Sequence, residues 1–264
     1  MTPTTYPLSS ISLDAAKKLQ FKIIDTITRH FDGYEVLSLG DLGVVSGQNK
    51  PATTMKAEAV FAEVFDAEAA IFVRGSGTSA IRWSLVSAMK PGEALLVHDA
   101  PVYNTTAITI ESMGLTVIRA DFNRRQEIAR VIEEKKSVIR GVLVQQTRQK
   151  IDDAYDFCAV IAQIKKLLPD VPVITDDNYA ALKVERIGCQ AGAELASFSC
   201  FKILGPEGVG VVLGKRRYIE KIHQMQYSGG SQVQGHEAMA ALRGLIYKSL
   251  PQNACRRVWP TLSR

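Results

Sequence analysis

The stretch VPVITDDNYAALKVERIGCQAGAELASFSCFKILGPEGVGVVLG, residues 171–214, decides the fold of this 264-residue chain. Three short apolar segments within it have the length and composition of buried strands: residues 171–175, 195–199 and 208–213. The first segment ends in the paired acid Asp176-Asp177, and Lys202 follows the second, just before a Gly-Pro turn. A lysine in this place lies just beyond the end of a buried strand, and the strand fixes the position of its backbone. This is unusual for a lysine that contacts only solvent.

Outward from this stretch, apolar strands alternate with amphipathic helices. Four further strands are predicted upstream, at residues 68–73, 94–98, 116–120 and 139–144. Eight helices are predicted, at residues 13–30, 51–65, 78–89, 105–113, 126–135, 155–168, 216–225 and 233–247. Continuous apolar strands between such helices predict an α/β fold with three α/β/α layers and a mostly parallel sheet of about seven strands. We divide the chain into an N-terminal arm, helix and loop (1–50), a large domain (51–248) and an irregular tail (249–264).

Composition and charge argue against several classes of function. The net charge of +5 is small for 264 residues, and the basic pairs are dispersed without an aromatic-rich stripe, so no nucleic-acid partner is expected. No apolar run resembles a signal peptide or reaches membrane-spanning length, so no membrane partner is expected. Distant cysteines, and histidines without ligand spacing, predict a reduced, cytoplasmic protein without a metal site.

Loops that follow the strands of a parallel sheet meet at one edge, where such proteins bind ligands. One of them, GSGTS at residues 75–79, follows a strand and opens a helix. Its glycines let the backbone approach a ligand, and the helix start offers unpaired N–H groups, which together predict a phosphate cradle. The alternative is a plain turn with Thr78 as the helix cap. The third glycine of a dinucleotide fingerprint is missing, so a nucleotide-binding protein is the weaker interpretation.

Lys202 and the acid pair indicate a bound cofactor. A desolvated lysine is nucleophilic toward a carbonyl, and an acid at the end of a neighbouring strand can hold the proton of a ring nitrogen. Together they predict an aldehyde cofactor carried on Lys202 as a Schiff base, with Asp177 at the ring nitrogen. Asp176 is the rival, because successive side chains of a strand point to opposite faces. A surface lysine and an Asp-Asn turn are the plain alternatives.

Two further loop residues are candidates for ligand contacts. Tyr103 lies between a strand and a helix, where its ring can stack on a planar heterocycle, and packing at the helix start is the alternative. Arg148, in the polar loop QQTRQK, can bind a substrate carboxylate through two N–H groups, or can simply face solvent.

These residues resemble the fold-type I enzymes that depend on pyridoxal 5′-phosphate (PLP), and most closely their cystathionine synthase and lyase branch. That branch carries an Asp-Asn pair 25 residues before its Schiff-base lysine, which ends a Ser-x-x-Lys element, as Asp177-Asn178 and Ser199-Cys200-Phe201-Lys202 do here. The resemblance covers roughly residues 40–248 and implies PLP as the cofactor. It implies this set of cofactor-binding residues: Ser76, Gly77, Thr78, Tyr103, Asp177, Ser199 and Lys202.

The resemblance further implies a homodimer that acts on an amino acid by transferase or lyase chemistry, with Lys202 as the catalytic residue. It leaves open the amino acid, and the choice between transamination, elimination or replacement, and racemisation. Three departures stand out. The family's Tyr-x-Arg, which reaches the phosphate of a neighbouring subunit, does not occur in residues 41–49. The family's asparagine in the loop after the fourth strand is replaced near Arg148, and Tyr179 stands where threonine usually follows Asp-Asn. The family's small C-terminal domain, with its arginine for the substrate carboxylate, has no counterpart here. We therefore expect a shortened chain, and the alternative function is a PLP-binding remnant without turnover.

Overall fold

Strands and helices alternate through the computed structural model, which describes residues 10–147, 149–226 and 231–249. The strands are β1 (Ala69–Arg74), β2 (Ala94–His98), β3 (Thr116–Ala120), β4 (Ile139–Gln145), β5 (Val173–Asp176), β6 (Leu195–Ser199) and β7 (Val209–Gly214). The helices are α1 (Leu13–His30), α2 (Ala52–Val64), α3 (Ser76–Ala88), α4 (Asn104–Ser112), α5 (Arg125–Lys135), α6 (Phe157–Leu167), α7 (Arg216–Met225) and α8 (Gly235–Ser249). Each matches a predicted element, and no end is displaced by more than two residues.

The strands form one seven-stranded sheet in the order β1-β7-β6-β5-β4-β2-β3. Strands β2 to β6 run parallel, and β7 lies antiparallel between β1 and β6. The reversal at β7 follows from its short connection to β6, because a turn through Cys200–Ile203 is too short for the crossover that a parallel pair needs. The predicted α/β fold with a mostly parallel sheet is confirmed.

Helices cover both faces of the sheet. On one face, α3, α4 and α7 pack over a core that includes Ile81, Leu85 and Ile174. On the other face, α5 and α6 pack beside Val142 and Val173, and α1, α2 and α8 continue this layer with a core of their own. Ile174 and Val173 adjoin in β5 yet belong to opposite cores, as strand alternation requires. We call these two sides the α3 face and the α6 face.

A buried ion pair protects the β1 edge of the sheet. Glu58 on α2 accepts the Phe72 N–H through one carboxylate oxygen (2.9 Å) and pairs with Lys50 through the other (2.7 Å). The side chains of Lys50 and Glu58 are 6% and 9% exposed. An unpaired N–H on an edge strand invites pairing with another chain, so Glu58 closes this edge at Phe72.

The segment between α1 and α2 is predicted as an extended loop, and the structure adds a short 3-10 turn at Gly33–Leu37. Within it, the Asp41 carboxylate caps α2 by accepting the N–H groups of Ala52 (2.6 Å) and Thr53 (3.0 Å). The Asp41 carbonyl accepts the Gly235 N–H at the start of α8 (3.0 Å). One residue of this segment therefore fixes the starts of two helices.

The predicted tail at 249–264 lies outside the described residues, apart from Ser249, which ends α8. Within the described ranges, no helix combines the length and apolarity needed to cross a membrane. In the same ranges, no three His, Cys, Asp or Glu residues are grouped so that they could hold a metal ion.

Candidate active site

Loops at the carboxyl ends of the strands enclose a pocket of about 210 Å³ on the α3 face. Six residues predicted from the sequence line it together: Ser76, Gly77, Thr78, Tyr103, Ser199 and Lys202. Asp176 at the end of β5, with Asn178 and Tyr179 from the loop that follows, lines it as well. Arg148, the predicted substrate contact, lies outside the described residues, and its neighbour Thr147 lines the pocket. Separate loops thus converge at one edge, as parallel strands require.

The turn between β1 and α3 has the geometry of an anion cradle. Gly75 and Ser76 both have positive φ angles (95° and 63°), and their N–H groups donate to the Gly208 carbonyl at 2.8 and 3.1 Å. The next two N–H groups, of Gly77 and Thr78, have no acceptor among the residues that the structure describes. Unpaired N–H groups in the first turn of a helix bind anions such as phosphate.

Glycine is required at position 77 of this cradle. A Cβ atom there would lie 2.8 Å from both the amide nitrogen and the amide oxygen of Asn178. Asn178 is itself fixed: its N–H and Nδ2 donate to one oxygen of Asp176 (3.0 and 2.8 Å), and its Oδ1 accepts the Ser199 N–H (2.9 Å). The Ser199 hydroxyl lies 2.6 Å from the hydroxyl of Ser76. These contacts join the ends of β1, β5 and β6 around the pocket.

The acid in the pocket is Asp176, which corrects the prediction of Asp177. One oxygen of Asp176 accepts two hydrogen bonds from the neighbouring asparagine, and the other has no donor within the described ranges. Asp177 points to the α6 face, where it accepts the Thr175 hydroxyl (2.5 Å) and the Gly188 N–H (3.0 Å). Successive residues of a strand point to opposite faces, so only one of the pair reaches the pocket. The spacing of 25 residues to Lys202 therefore selected the wrong neighbour.

Strand β6 carries the signal that identifies the correct acid. Its residues Ser197 and Ser199 alternate with Ala196 and Phe198, which belong to the core of the α6 face. In the sheet, Ser197 is the partner of Asp176. Side chains at paired positions of neighbouring strands share a face. Ser199, the predicted phosphate ligand, lies on the same face of β6 as Ser197. Once β5 and β6 are placed in register, Asp176 shares this face, so Asp176 is the acid expected beside Ser199.

Lys202 follows β6 in the short 3-10 turn Cys200–Ile203 and is half-buried at the pocket. Its Nζ donates to the Tyr179 hydroxyl at 2.7 Å and lies 4.1 Å from the centroid of the Tyr179 ring. In the part of the chain that is described, no carboxylate pairs with this lysine, so its amine is available to a carbonyl ligand. Tyr179 was not a predicted site residue, because nothing in the sequence indicates that the chain turns its ring toward Lys202.

Tyr103 immediately precedes α4 and forms the outer wall of the pocket. Its side chain is 64% exposed, and its carbonyl accepts the N–H groups of Thr106 and Ala107 at the helix start (both 2.9 Å). The Thr78 hydroxyl donates to the Thr105 hydroxyl (3.1 Å), which ties α4 to the cradle. The ring therefore stays accessible from the pocket, and its stacking on a planar ligand stays a prediction.

Burial determines the charge of both acids. Burial raises the pKa of Asp176 above its usual range, and the two hydrogen bonds from Asn178 offset this only in part. Burial also raises the pKa of Asp177 to about 7, against the opposing hydrogen bond from Thr175. An opposite charge is what favours the ionised form of a buried carboxyl. The open oxygen of Asp176 therefore suits a protonated, positively charged ring nitrogen.

Known proteins resemble this chain in sequence and in structure. The model of the aminotransferase class-V family matches residues 43–245. The protein YhfS of Escherichia coli is 49% identical over 243 residues, which make up 92% of this chain and 66% of YhfS. This chain thus spans slightly less than two thirds of that relative. The crystal structure of YhfS, a pyridoxal-5′-phosphate dependent protein, superposes with a TM-score of 0.91 at 47% identity, covering 95% of this chain and 68% of the other.

More distant structures share the architecture. A carbon-sulfur lyase involved in aluminum resistance from Clostridium novyi superposes with a TM-score of 0.74 at 20% identity. The superposition covers 90% of this chain and 62% of the lyase chain. At that identity the likeness shows the fold alone. The resemblance to fold-type I PLP-dependent enzymes is confirmed. The chain belongs to the aminotransferase class-V family.

Proposed function

We propose that this protein is a PLP-dependent enzyme of amino-acid metabolism that performs transferase or lyase chemistry through Lys202. The observation that carries the proposal is that three groups meet in one pocket. They are a lysine without a carboxylate partner, a buried acid with one oxygen that accepts no hydrogen bond, and a helix start with two N–H groups that have no acceptor. These statements refer to the described residues. The three groups fit the aldehyde, ring nitrogen and phosphate of one molecule. The identity of 49% to YhfS supports the same cofactor.

Each side of the pocket would hold one part of the cofactor. The N–H groups of Gly77 and Thr78, with the Ser199 hydroxyl, would bind the phosphate. Asp176 would hold the proton of the ring nitrogen, and Tyr103 would cover one face of the ring. When bound, PLP supplies an aldehyde that condenses with amines and a ring that withdraws electrons from the carbon next to the amine nitrogen.

The remaining chemistry belongs to the side chains of this protein. Lys202 would be the amine that joins the cofactor, and its free amine would accept or return the proton at Cα of an amino-acid substrate. Asp176 would keep the ring nitrogen of the cofactor protonated, because a charge pair in a buried site attracts more strongly than one in water. The hydrogen bonds from Asn178 fix the direction of the open Asp176 oxygen.

The proposal is tested by cofactor binding. We expect the purified chain with PLP to absorb at about 420 nm, as a cofactor joined to a lysine does. Lys202→Ala should abolish this band. Lys215→Ala is the matched control, because Lys215 is a surface lysine that pairs with Glu68 (2.7 Å). An absent band in the unaltered protein, or a band that survives Lys202→Ala, would refute the assignment. Amino acids that shift the band identify the substrate class.

We propose that the enzyme works as a homodimer. Large apolar side chains are concentrated between α1 and α2, each between 73% and 89% exposed: Tyr34, Leu37, Leu39 and Leu42. Soluble monomers rarely expose such a concentration, which supports burial against a second copy. Sedimentation velocity should show a dimer, and Leu39→Asp should shift it toward monomer, whereas Val138→Asp on an exposed turn elsewhere should not.

We also propose that residues 51–248 form the cofactor-binding domain of a cytoplasmic protein. The phosphate cradle, the acid and the lysine all lie within this range. Cys158, Cys189 and Cys200 are free thiols, which supports a reducing compartment. Fractionation of cells that produce the protein should recover it with cytoplasmic markers.

A further inference from the structure

Tyr179 has a backbone conformation that its residue type rarely adopts. Its φ of 66° lies in the left-handed region, which disfavours bulky side chains. The turn around it is held by the Asp177 carbonyl, which accepts the N–H groups of Ala180 (2.9 Å) and Ala181 (3.2 Å). The surrounding structure therefore imposes this conformation, and with it the tyrosine side chain lines the pocket.

The tyrosine contacts the lysine on which the proposed function depends. Lys202 Nζ is 2.7 Å from Tyr179 Oη and 4.1 Å from the ring centroid. Over the described ranges, this hydroxyl is the one hydrogen-bond partner of Lys202 Nζ. Lys183 Nζ lies 5.7 Å from the same centroid. Tyr179 therefore interacts with two ammonium groups, which the π face of an aromatic ring attracts.

The serine and threonine hydroxyls at the start of α3 and the end of β6 are engaged elsewhere. Ser76 and Ser199 are 2.6 Å apart and bond to each other. Thr78 donates to Thr105 at 3.1 Å. Both pairs belong to the phosphate side of the pocket. Tyr179 is thus the hydroxyl that the described structure directs at the lysine amine.

We infer that Tyr179 is a positioning residue that retains the Lys202 amine at the pocket wall until an incoming carbonyl ligand displaces it. The inference rests on the proposed function and deepens it. The ammonium form of Lys202, which the hydroxyl and the ring contact, has no lone pair. It must release a proton and leave these contacts before the amine can attack a carbonyl carbon. Tyr179 therefore slows the capture of aldehydes by Lys202. Removing its hydroxyl should make the lysine more reactive, whereas general damage to the pocket would make it less so.

The experiment measures Lys202 reactivity without the cofactor. The cofactor-free full chain is treated at pH 7 with formaldehyde and cyanoborohydride. The lysine amine condenses with formaldehyde and releases water, and hydride from cyanoborohydride reduces the new carbon–nitrogen bond to a methylamine. Mass spectrometry of peptides gives the methylation rate at each lysine. We expect Tyr179→Phe to raise the rate at Lys202 about three- to tenfold, the change that the loss of one hydrogen bond of typical net strength produces. The rate at Lys215 should stay unchanged.

Two further variants keep the outcome decisive. Tyr247→Phe, which alters a tyrosine that is 60% exposed on α8, should leave the Lys202 rate unchanged. Tyr179→Asn places a residue that tolerates positive φ at the strained position, so it should fold and should also raise the rate. An unchanged or slower Lys202 rate in both Tyr179 variants overturns the inference. A failure of the proposed function gives a different result. In that case the protein with PLP shows no absorbance band at about 420 nm, at any rate of Lys202 methylation.

Discussion

The α3 face and the α6 face of the sheet use neighbouring acids of one strand for different purposes. On the α3 face, Asp176 has one oxygen bonded to Asn178 and one open toward the pocket, as far as the described residues show. On the α6 face, both oxygens of Asp177 are engaged, by Thr175 and Gly188. Burial raises the pKa of both acids. Burial and a shifted pKa therefore do not single out the functional acid, whereas an open acceptor facing a pocket does.

The largest expected effect concerns the enclosed acid, Asp177. Its pKa rises from 3.8 to about 7 on folding, so its contribution to stability is complete below about pH 4 and is lost as pH rises through about 7. Asp177→Asn removes this titration, which is worth up to about 4 kcal/mol. We expect the Tm of the variant, relative to the unaltered protein, to rise from pH 4 to pH 8 in scanning calorimetry. Parallel Tm profiles would contradict the raised pKa of Asp177.

The second effect concerns the open acid. Asp176→Asn removes the negative partner of the ring nitrogen, a charge-assisted hydrogen bond of about 1.5 to 3 kcal/mol. We expect PLP affinity to fall about 10- to 100-fold in an absorbance titration. Asp177→Asn is the matched control and should change PLP affinity less than about threefold, since its carboxylate faces away from the pocket. Equal losses in the two variants would mean that both faces serve the cofactor.

A third effect tests the cradle. In Gly77→Ala, the new methyl group meets the Asn178 amide at 2.8 Å, and the resulting displacement should cost about 1 to 3 kcal/mol. Both Tm and PLP affinity should fall. Gly208→Ala is the control, because a Cβ atom there meets no atom within 4 Å. If the control loses as much as Gly77→Ala, crowding at Asn178 is not the cause.

The smallest effect concerns one phosphate contact. Ser199→Ala removes a neutral hydroxyl, worth about 1 kcal/mol, so PLP affinity should fall about fivefold with little change in Tm. Ser112→Ala removes a hydroxyl that bonds within α4 outside the pocket (2.9 Å) and should leave PLP affinity unaltered. Isothermal titration of both variants with PLP checks the difference. A loss of less than twofold in Ser199→Ala would remove this hydroxyl from the phosphate site.

The regular elements were predictable because their signals are periodic. Apolar runs located all seven strands, and the placement of glycine and lysine at strand ends located the GSGTS loop and Lys202. These signals are local, since each depends on residues within one or two turns of chain. The α/β class then followed from the alternation of elements, and the shared edge of parallel strands brought the loops together.

Contacts that depend on register or on remote partners escaped prediction. The choice of Asp176 needs the pairing of β5 with β6, which no residue of β5 specifies alone. Tyr179 carries no sequence signal for its positive φ, because the bonds to the Asp177 carbonyl impose it. Asp41 caps α2 from 11 residues upstream, across the intervening turn, where the residue directly before the helix is Pro51.

The cradle at the start of α3 is completed by residues that come much later in the chain. Gly208 supplies the carbonyl that positions Gly75 and Ser76, and Ser199, which contacts Ser76, lies 123 residues further along the chain. Among the strands that the structure describes, β1 pairs with β7 alone. During synthesis, β1 therefore cannot pair until the ribosome has made β7. Contacts between residues so distant in sequence form late in folding. Chains whose synthesis is arrested before Gly214 should accordingly fail to retain PLP. Binding of the cofactor therefore indicates that β1 and β7 have paired.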